Sequence, residues 1–190
     1  MANFVYLLVE EESREALVVD SGWETRPIVD AAREAGAKVK YAVATHEHFD
    51  HTTTLGELAD ELGAEVVAHR ESPIECGVRV SDGEGLKLGG RLVEVMHTPG
   101  HTRDSICLYD GGNVFTGDAL FVGTIGKFDR ASAKEMHDSL HKVILGLPPS
   151  TIMYPGHDYG DVPSRTLGEE LAANPFLAAK DFRSVQALFS

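Results

Sequence analysis

The sequence predicts a mixed α/β sandwich, in which helices cover the outer faces of two β-sheets. The first half of the chain alternates strand and helix patterns. The second half is rich in short strands before it returns to a helix, a strand and further helices. The length of 190 residues, with 43% hydrophobic and 25% charged residues, is ordinary for one globular domain. We therefore expect a single α/β domain over residues 1–190.

Two short β-rich runs come first. FVYLLVE (4–10) and EALVVD (15–20) are joined by the acidic turn EESR, which indicates an antiparallel pair. PIVDAAREAG has helical spacing and ends at Gly36, a residue suited to a helix C-terminus. YAVAT (41–45) then reads as a buried strand.

The remaining elements follow the same reasoning. TTLGELADELG places its apolar residues on one face of a helix that ends at Gly63, and AEVVAH (64–69) is the next strand. Four β-rich runs occupy the middle of the chain: GLKLGG, RLVEVMHT, DSICLYD and GNVFTGD. SAKEMHDSLHKVILGL (132–147) is the longest amphipathic helix, and TIMYPGH (151–157) is the last strand. TLGEELAA and KDFRSVQALF predict short helices near the end.

Charge and hydropathy exclude several function classes. The net charge is −13 with a pI near 5.0, and such a surface repels phosphate backbones, so we expect no nucleic-acid partner. No apolar run approaches membrane-spanning length. The start, MANFVYLLVEEE, lacks a basic region and turns acidic, so it predicts a strand and not a signal peptide. We therefore expect a cytoplasmic protein without a membrane partner.

The two cysteines are too few for a disulfide framework. Cys107 lies in the apolar run SICLY, which predicts a buried thiol.

Four loops that follow apolar strands carry potential metal ligands or catalytic groups. They are THEHFDH (45–51), TPGHT (98–102), TGDALF (116–121) and YPGHDYG (154–160). Functional residues tend to lie on loops that a rigid scaffold positions. Each of these loops offers imidazole or carboxylate groups at a strand end.

The first loop has the highest density of ligand types. His46 and His48 are two residues apart, so in extended backbone they project to the same side. Asp50 and His51 lie past them at the entry to a helix and can face a neighbouring position. Imidazoles and carboxylates without thiolates suit Zn(II), Fe(II) or Mn(II). Two such ions close together would lower the pKa of a bridging water, as hydrolysis requires.

Simpler explanations apply to other residues. A lone His-x-His pair recurs on protein surfaces without binding metal. Four further histidines have no neighbouring ligand types, and we expect structural roles for them: His69, His97, His137 and His141. Asp20, at the end of a strand, is either a turn former or a support for the loop histidines.

Taken together and in this order, THEHFDH, TPGHT, TGD and YPGHD resemble the metallo-β-lactamase superfamily, whose first motif is H-x-H-x-D-H. The resemblance covers nearly the whole chain. It implies a four-layer αβ/βα sandwich, two mixed β-sheets flanked by helices, with two divalent metal ions at one edge of the sheets. The implied ligands of one ion are His46, His48 and His101. Those of the other are Asp50, His51 and His157, with Asp118 bridging the two ions.

Two branches of the superfamily are most similar. Glyoxalase II, the hydroxyacylglutathione hydrolase, resembles this chain in TGDALFVGTIGKFD and VPSRTLGEELAANPFL, and the match implies that Lys127 and Tyr159 contact substrate. The persulfide dioxygenases are similar in YPGHDYG and the TLGEE…NPFL segment. Their single Fe(II) would lie on His46, His101 and Asp118, and Asp129 also matches that branch.

The chain also departs from glyoxalase II. Asp129 stands where that enzyme usually has tyrosine, and the C-terminal helical region lacks an inserted portion and a terminal basic cluster. The C-terminal departure removes half of the glutathione clamp, so it weighs against glutathione more than against thioester chemistry. We also expect the superfamily's usual first strand to be shortened, because residue 1 comes just before NFVYLL; either the start has been assigned late or this edge strand is dispensable.

From this resemblance we expect a metal-dependent thioester hydrolase with two ions, zinc first and iron or manganese as alternatives. Asp50 and Asp118 would be the catalytic carboxylates, and the substrate would be a small thioester or thiol-derived molecule. The protein is expected as a monomer or homo-oligomer. The alternative is an Fe(II) persulfide dioxygenase. RNA processing disagrees with the net charge of −13, and a non-catalytic metal-binding role disagrees with the complete ligand set.

Overall fold

The computed structural model describes residues 2–189. Its first sheet has five strands in the order β1-β2-β3-β4-β5. The strands are β1 Tyr6–Val9, β2 Glu15–Val19, β3 Lys38–Val43, β4 Glu65–His69 and β5 Val78–Val80. Strands β1 and β2 are antiparallel, as predicted, and the other three pairings are parallel, so the sheet is mixed.

Helices α1 (Arg26–Glu34), α2 (Phe49–Thr52) and α3 (Leu55–Leu62) follow strands of this sheet. Because side chains alternate along a strand, β2 contributes to two different cores. Ala16 and Val18 pack with residues of α1 and α3, whereas Leu17 and Val19 face the second sheet. α1 and α3 therefore form an outer layer over the first sheet.

The second sheet has six strands in the order β13-β12-β9-β8-β7-β6. They are β6 Gly85–Leu88, β7 Arg91–His97, β8 Ile106–Tyr109, β9 Asn113–Gly117, β12 Ile152–Pro155 and β13 Arg165–Thr166. Strands β12 and β9 are parallel and the other pairs antiparallel, so this sheet is also mixed. A small hairpin, β10 Leu120–Phe121 and β11 Thr124–Ile125, leaves β9 and lies beside it.

Two further cores complete the layers. The two sheets share a core of aliphatic and aromatic side chains, including Leu17 and Val43 from the first and Val95 and Leu108 from the second. Helices α4 (Ala133–Gly146), α5 (Leu167–Ala173) and α6 (Phe182–Leu188) cover the other face of the second sheet around Met136. The predicted four-layer αβ/βα sandwich with two mixed sheets is confirmed.

Some predicted boundaries were wrong. The strand predicted at 41–45 begins earlier, at Lys38, and ends at Val43, because the chain bends from Thr45 onwards into the first histidine loop. The short edge strand β5 and the hairpin β10–β11 carry too little alternation to stand out in the sequence. Among the described residues, no helix is long and apolar enough to span a membrane.

The burial of Cys107 yields a test of the fold. Its side chain is fully buried between the second sheet and the helices that cover it. This burial raises the pKa of the thiol to about 11. Cys76 lies in a partly exposed loop. At about pH 8 a thiol reagent should modify Cys76 and leave Cys107 unreacted until the protein is unfolded, because the thiolate is the reactive form. Peptide mass spectrometry checks this, and equal labelling of both thiols in the native protein would contradict the fold.

Candidate metal centre

The four ligand-bearing loops meet at one edge of the sandwich. Strands β7 and β9 both run antiparallel to β8, and β12 runs parallel to β9, so all three end at the same edge. The loops after these strands carry His101, Asp118 and His157. The loop after β3 brings the HEHFDH segment to the same place. Residues far apart in sequence are therefore neighbours because of strand direction alone.

The donor atoms form two adjacent groups. In the first, His48 Nδ1 lies 3.1 Å from His46 Nε2 and 3.0 Å from His101 Nε2. In the second, His157 Nε2 lies 3.1 Å from His51 Nε2 and 3.4 Å from Asp50 Oδ2. Within each group the ligand atoms fall within 4.8 Å of one another, as do those of a third set formed by His46, His51 and Asp118.

Asp118 connects the two groups. One carboxylate oxygen, Oδ1, lies 3.3 Å from His51 Nε2. The other, Oδ2, lies 3.5 Å from His101 Nε2 and 3.3 Å from His157 Nε2. A single carboxylate thus reaches members of both groups, which is the arrangement that the resemblance implied for a bridging residue.

The cluster fits divalent cations. Asp118 Oδ1 is buried and accepts no hydrogen bond from the described residues, and an unsatisfied buried carboxylate oxygen is costly unless a cation balances it. Gly156 leaves the space beside this oxygen open, since a Cβ at that position would lie 2.5 Å from Asp118 Oδ1. Imidazole and carboxylate ligands without thiolate suit Zn, Fe or Mn. The adjacent ligand sets of the cluster suit a dinuclear metal site.

Asp20 supports this arrangement through hydrogen bonds with Thr45 and His51. Its backbone is left-handed, with φ of 61°, and its carboxylate accepts hydrogen bonds from Thr45 N at 2.8 Å and Thr45 Oγ1 at 3.0 Å. The same carboxylate lies 2.8 Å from His51 Nδ1, which donates to it. His51 Nε2 is therefore the nitrogen that faces the cluster. Of the two roles considered for Asp20, the structure shows both.

Two other histidines are fixed in similar ways. The Nδ1–H of His101 donates to the backbone oxygen of Lys127 at 2.7 Å, which turns Nε2 towards the cluster. His46 Nδ1 lies 3.0 Å from Thr45 Oγ1. Residues 45–47 form bends and not extended backbone, so the geometric reason given for His46 and His48 was wrong, although the two rings do converge.

Burial and charge set the protonation of these groups. Burial lowers the pKa of His46 and of His101, which keeps both imidazoles in the neutral form that binds metal. Burial alone would also lower the pKa of His51, but the carboxylates of Asp20, Asp118 and Asp50 outweigh it and raise that pKa to about 9. The field that holds a proton on His51 would equally favour a metal cation in its place.

A pocket opens over the cluster. Its volume is about 380 Å³, and apolar side chains of Phe121, Ile125 and Phe189 form part of its wall. The predicted substrate-binding residues Lys127 and Tyr159 also line it. Tyr159 stacks on His157 with ring centroids 4.7 Å apart and the planes nearly parallel.

Other residues singled out in the sequence lie elsewhere. Asp129 is exposed, and its carboxylate accepts hydrogen bonds from the backbone and hydroxyl of Ser132 at the start of α4. The remaining four histidines form two ring pairs away from the metal cluster, His69 with His97 and His137 with His141. The structural roles expected for all four stay a prediction.

Asn3 contacts the cluster, although it was not among the residues predicted for the site. Its side-chain amide donates to Asp50 Oδ2 at 3.0 Å and to the backbone oxygen of Asp50 at 3.2 Å. Burial alone would raise the pKa of Asp50, but the hydrogen bond from Asn3 and the charge of His51 lower it. An asparagine before a strand carries no local signal for such a role, since the contact joins residues 47 positions apart in the sequence.

The seven residues that the resemblance implied as ligands are all in these groups. Their role as metal ligands stays a prediction. Comparison with known proteins gives the family: residues 2–157 match the metallo-beta-lactamase superfamily. The chain belongs to the metallo-β-lactamase superfamily.

Relatives within the superfamily fall in both branches. The chain is 37% identical over 181 residues to the mitochondrial persulfide dioxygenase ETHE1 of Homo sapiens, a match that covers 92% of this chain and 71% of that protein. It is 33% identical over 215 residues to a hydroxyacylglutathione hydrolase-like protein of Mus musculus, covering 92% and 76%. Among solved structures, ETHE1 from Myxococcus xanthus superposes with a TM-score of 0.91 at 33% identity, covering 98% of this chain and 84% of that one.

The role of Asp20 can be tested by replacing it with asparagine. Asparagine has about the size of aspartate and tolerates the left-handed backbone. Its amide N–H, however, would face the N–H of His51 Nδ1, and two donors form no hydrogen bond. We expect Asp20→Asn to lower the affinity for divalent metal by about tenfold to a hundredfold with the fold intact. Chelator competition measures the affinity and circular dichroism the fold. Unchanged affinity in a folded variant would show that Asp20 serves only the turn.

Proposed function

We propose that this superfamily member is a metal-dependent hydrolase that cleaves the thioester of a small thiol. The observation that carries the proposal is the position of Asp118 between two complete groups of donors, at 3.3 Å from His51 and 3.5 Å from His101. A site for two ions suits hydrolysis. Single-iron chemistry would need only three of the seven residues, His46, His101 and Asp118. The net charge of −13 supports a small-molecule substrate over a nucleic acid.

Bound divalent ions supply Lewis acidity and a water molecule of lowered pKa at such a site. The residues of the chain do the rest. Asp50 and Asp118 are the catalytic carboxylates, because their oxygens face the pocket beside the histidines and can orient an attacking water. The neutral state of His46 and His101 keeps protons from competing with the ions. The apolar wall limits the access of bulk water to the reacting carbonyl.

The other end of the substrate would lie against Lys127 and Tyr159. The Lys127 side chain is exposed at the pocket and forms no ion pair among the described residues, so its ammonium group is available to an anionic thiol carrier. Tyr159, with half of its surface exposed, presents a ring face and a hydroxyl to the same space. Glutathione is one carrier of this chemistry, and other acidic thiols share it.

A second candidate, a persulfide dioxygenase with one Fe(II) on His46, His101 and Asp118, is favoured by overall similarity. The superposition on ETHE1 from Myxococcus xanthus covers 98% of this chain at a TM-score of 0.91. Asp129 does not add to this support, since its carboxylate is engaged with Ser132 at the start of α4.

Metal content and product analysis separate the two reactions. We expect protein purified from its native source to contain two divalent ions per chain and to release free thiol from S-lactoylglutathione or a related acidic thioester without consuming oxygen. Metal analysis, a thiol assay and an oxygen electrode provide the measurements. One iron per chain with oxygen uptake on a glutathione persulfide would replace the hydrolase with the dioxygenase.

Lys127→Ala tests the binding of the thiol carrier. Removing the ammonium should raise KM for an acidic thioester by about tenfold with kcat little changed, because the lost contact exists in ground and transition states alike. Lys38→Ala is the matched control, since it removes the same charge at the start of β3, at the opposite edge of the first sheet. If KM is unchanged across several acidic thioesters, Lys127 does not bind the carrier.

A further inference from the structure

Asn3 joins the N-terminal segment to one specific member of the metal cluster. Its amide nitrogen donates to Asp50 Oδ2 at 3.0 Å, and that same oxygen lies 3.4 Å from His157 Nε2. The backbone of this segment is also held here, because Asn3 forms an isolated β-bridge with His157. Within residues 2–189, the Asn3 side chain forms its hydrogen bonds with Asp50 and Trp23 and none with His46, His48 or His101.

Trp23 determines which way the Asn3 amide points. The indole N–H of Trp23 donates to Asn3 Oδ1 at 3.2 Å. An indole nitrogen can only donate, so it selects the amide oxygen, and the amide nitrogen must then face Asp50. The Trp23 ring is itself held edge-on against Phe49, with centroids 5.5 Å apart. The orientation of Asn3 is thus fixed at both ends by unlike partners.

We propose that Trp23 and Asn3 form a positioning chain that sets the affinity of the second metal subsite, made by Asp50, His51 and His157. Asn3 holds Asp50 Oδ2 in the direction of His157, and Trp23 keeps the Asn3 amide from turning. Hydrogen bonds to the ligands of a metal orient them and change the affinity of the site. The first subsite, made by His46, His48 and His101, lies outside this chain of contacts.

The inference concerns metal uptake and not the reaction. It rests on the two-ion site of the proposed hydrolase, and it holds whichever substrate that site takes. It also yields a direct optical readout, because Trp23 is the only tryptophan of the sequence. Its indole is half exposed and is linked to Asp50 through one side chain. Binding of the second ion should therefore change its fluorescence, while binding of the first ion should not.

The experiment is a titration of metal-free protein with Zn²⁺, followed by tryptophan fluorescence and by equilibrium dialysis. In the wild type, the emission should change between one and two equivalents. In Asn3→Ala, the second ion should bind about tenfold to a hundredfold more weakly with the first unchanged, and the change in emission should be lost. Trp23→Phe should lower the affinity for the second ion less, by about fivefold, which corresponds to the loss of one neutral hydrogen bond.

The double variant separates a chain of contacts from two independent effects. If Trp23 acts through Asn3, combining Trp23→Phe with Asn3→Ala should add almost nothing to Asn3→Ala alone. Tyr6→Phe is the matched control. The Tyr6 hydroxyl donates to the backbone oxygen of Pro155 at 2.6 Å, so it tethers the same segment without contacting a predicted metal ligand. It should leave the second ion's affinity within twofold of the wild type.

Several results would overturn the inference. Affinity for the second ion within twofold of the wild type in Asn3→Ala would do so. An equal loss of affinity for both ions in Asn3→Ala would also overturn it. So would a loss of affinity for the second ion in Tyr6→Phe as large as that in Asn3→Ala. Either result would make Asn3 a general anchor of the N-terminal segment. Uptake of a single ion by the wild type would remove the two-ion site itself. Normal uptake of both ions without thioester cleavage would sink only the proposed reaction.

Discussion

The buried carboxylate of Asp20 is the constraint on which the rest of the site depends. It lies between the end of β2 and the loop after β3, where it accepts from the Thr45 backbone and from His51. Because Thr45 also contacts His46, one acidic group fixes the path of the loop and the orientation of two imidazoles. The left-handed backbone at Asp20 turns the carboxylate under the loop. Asp20 thus sets both the negative charge beside His51 and the path of the loop after β3.

The cluster concentrates more acid and imidazole than an apolar interior tolerates without a counterion. Asp20, Asp50 and Asp118 are all largely buried, and their combined field raises the pKa of His51 to about 9 although burial opposes this. Such an arrangement is stable only with cations in it, whether protons or metals. A hydrolase and a dioxygenase would both use these buried charges. The walls of the pocket and the number of ions bound would therefore distinguish the two reactions.

Most of the fold and of the cluster could be predicted because the signals are local. Strand patterns are short and apolar, and each ligand follows the end of a strand, so that the direction of β7, β9 and β12 brings the loops together. Contacts between distant segments had no such signal. The hydrogen bond from Asn3 to Asp50 could not be read from either stretch. The match of Asp129 to the dioxygenase branch stays a prediction, and its carboxylate accepts hydrogen bonds from Ser132 at the start of α4.

The parallel pairing of β12 with β9 has a consequence for how the protein folds. His51 and His157 meet across 106 residues of chain, so the second donor group cannot assemble before β12 has inserted beside β9. Long-range pairing of this kind forms late and slowly. We infer that ions bound there would stabilise contacts that form after the folding transition state. We therefore expect bound metal to slow unfolding far more than it speeds folding, which makes the loaded protein kinetically persistent.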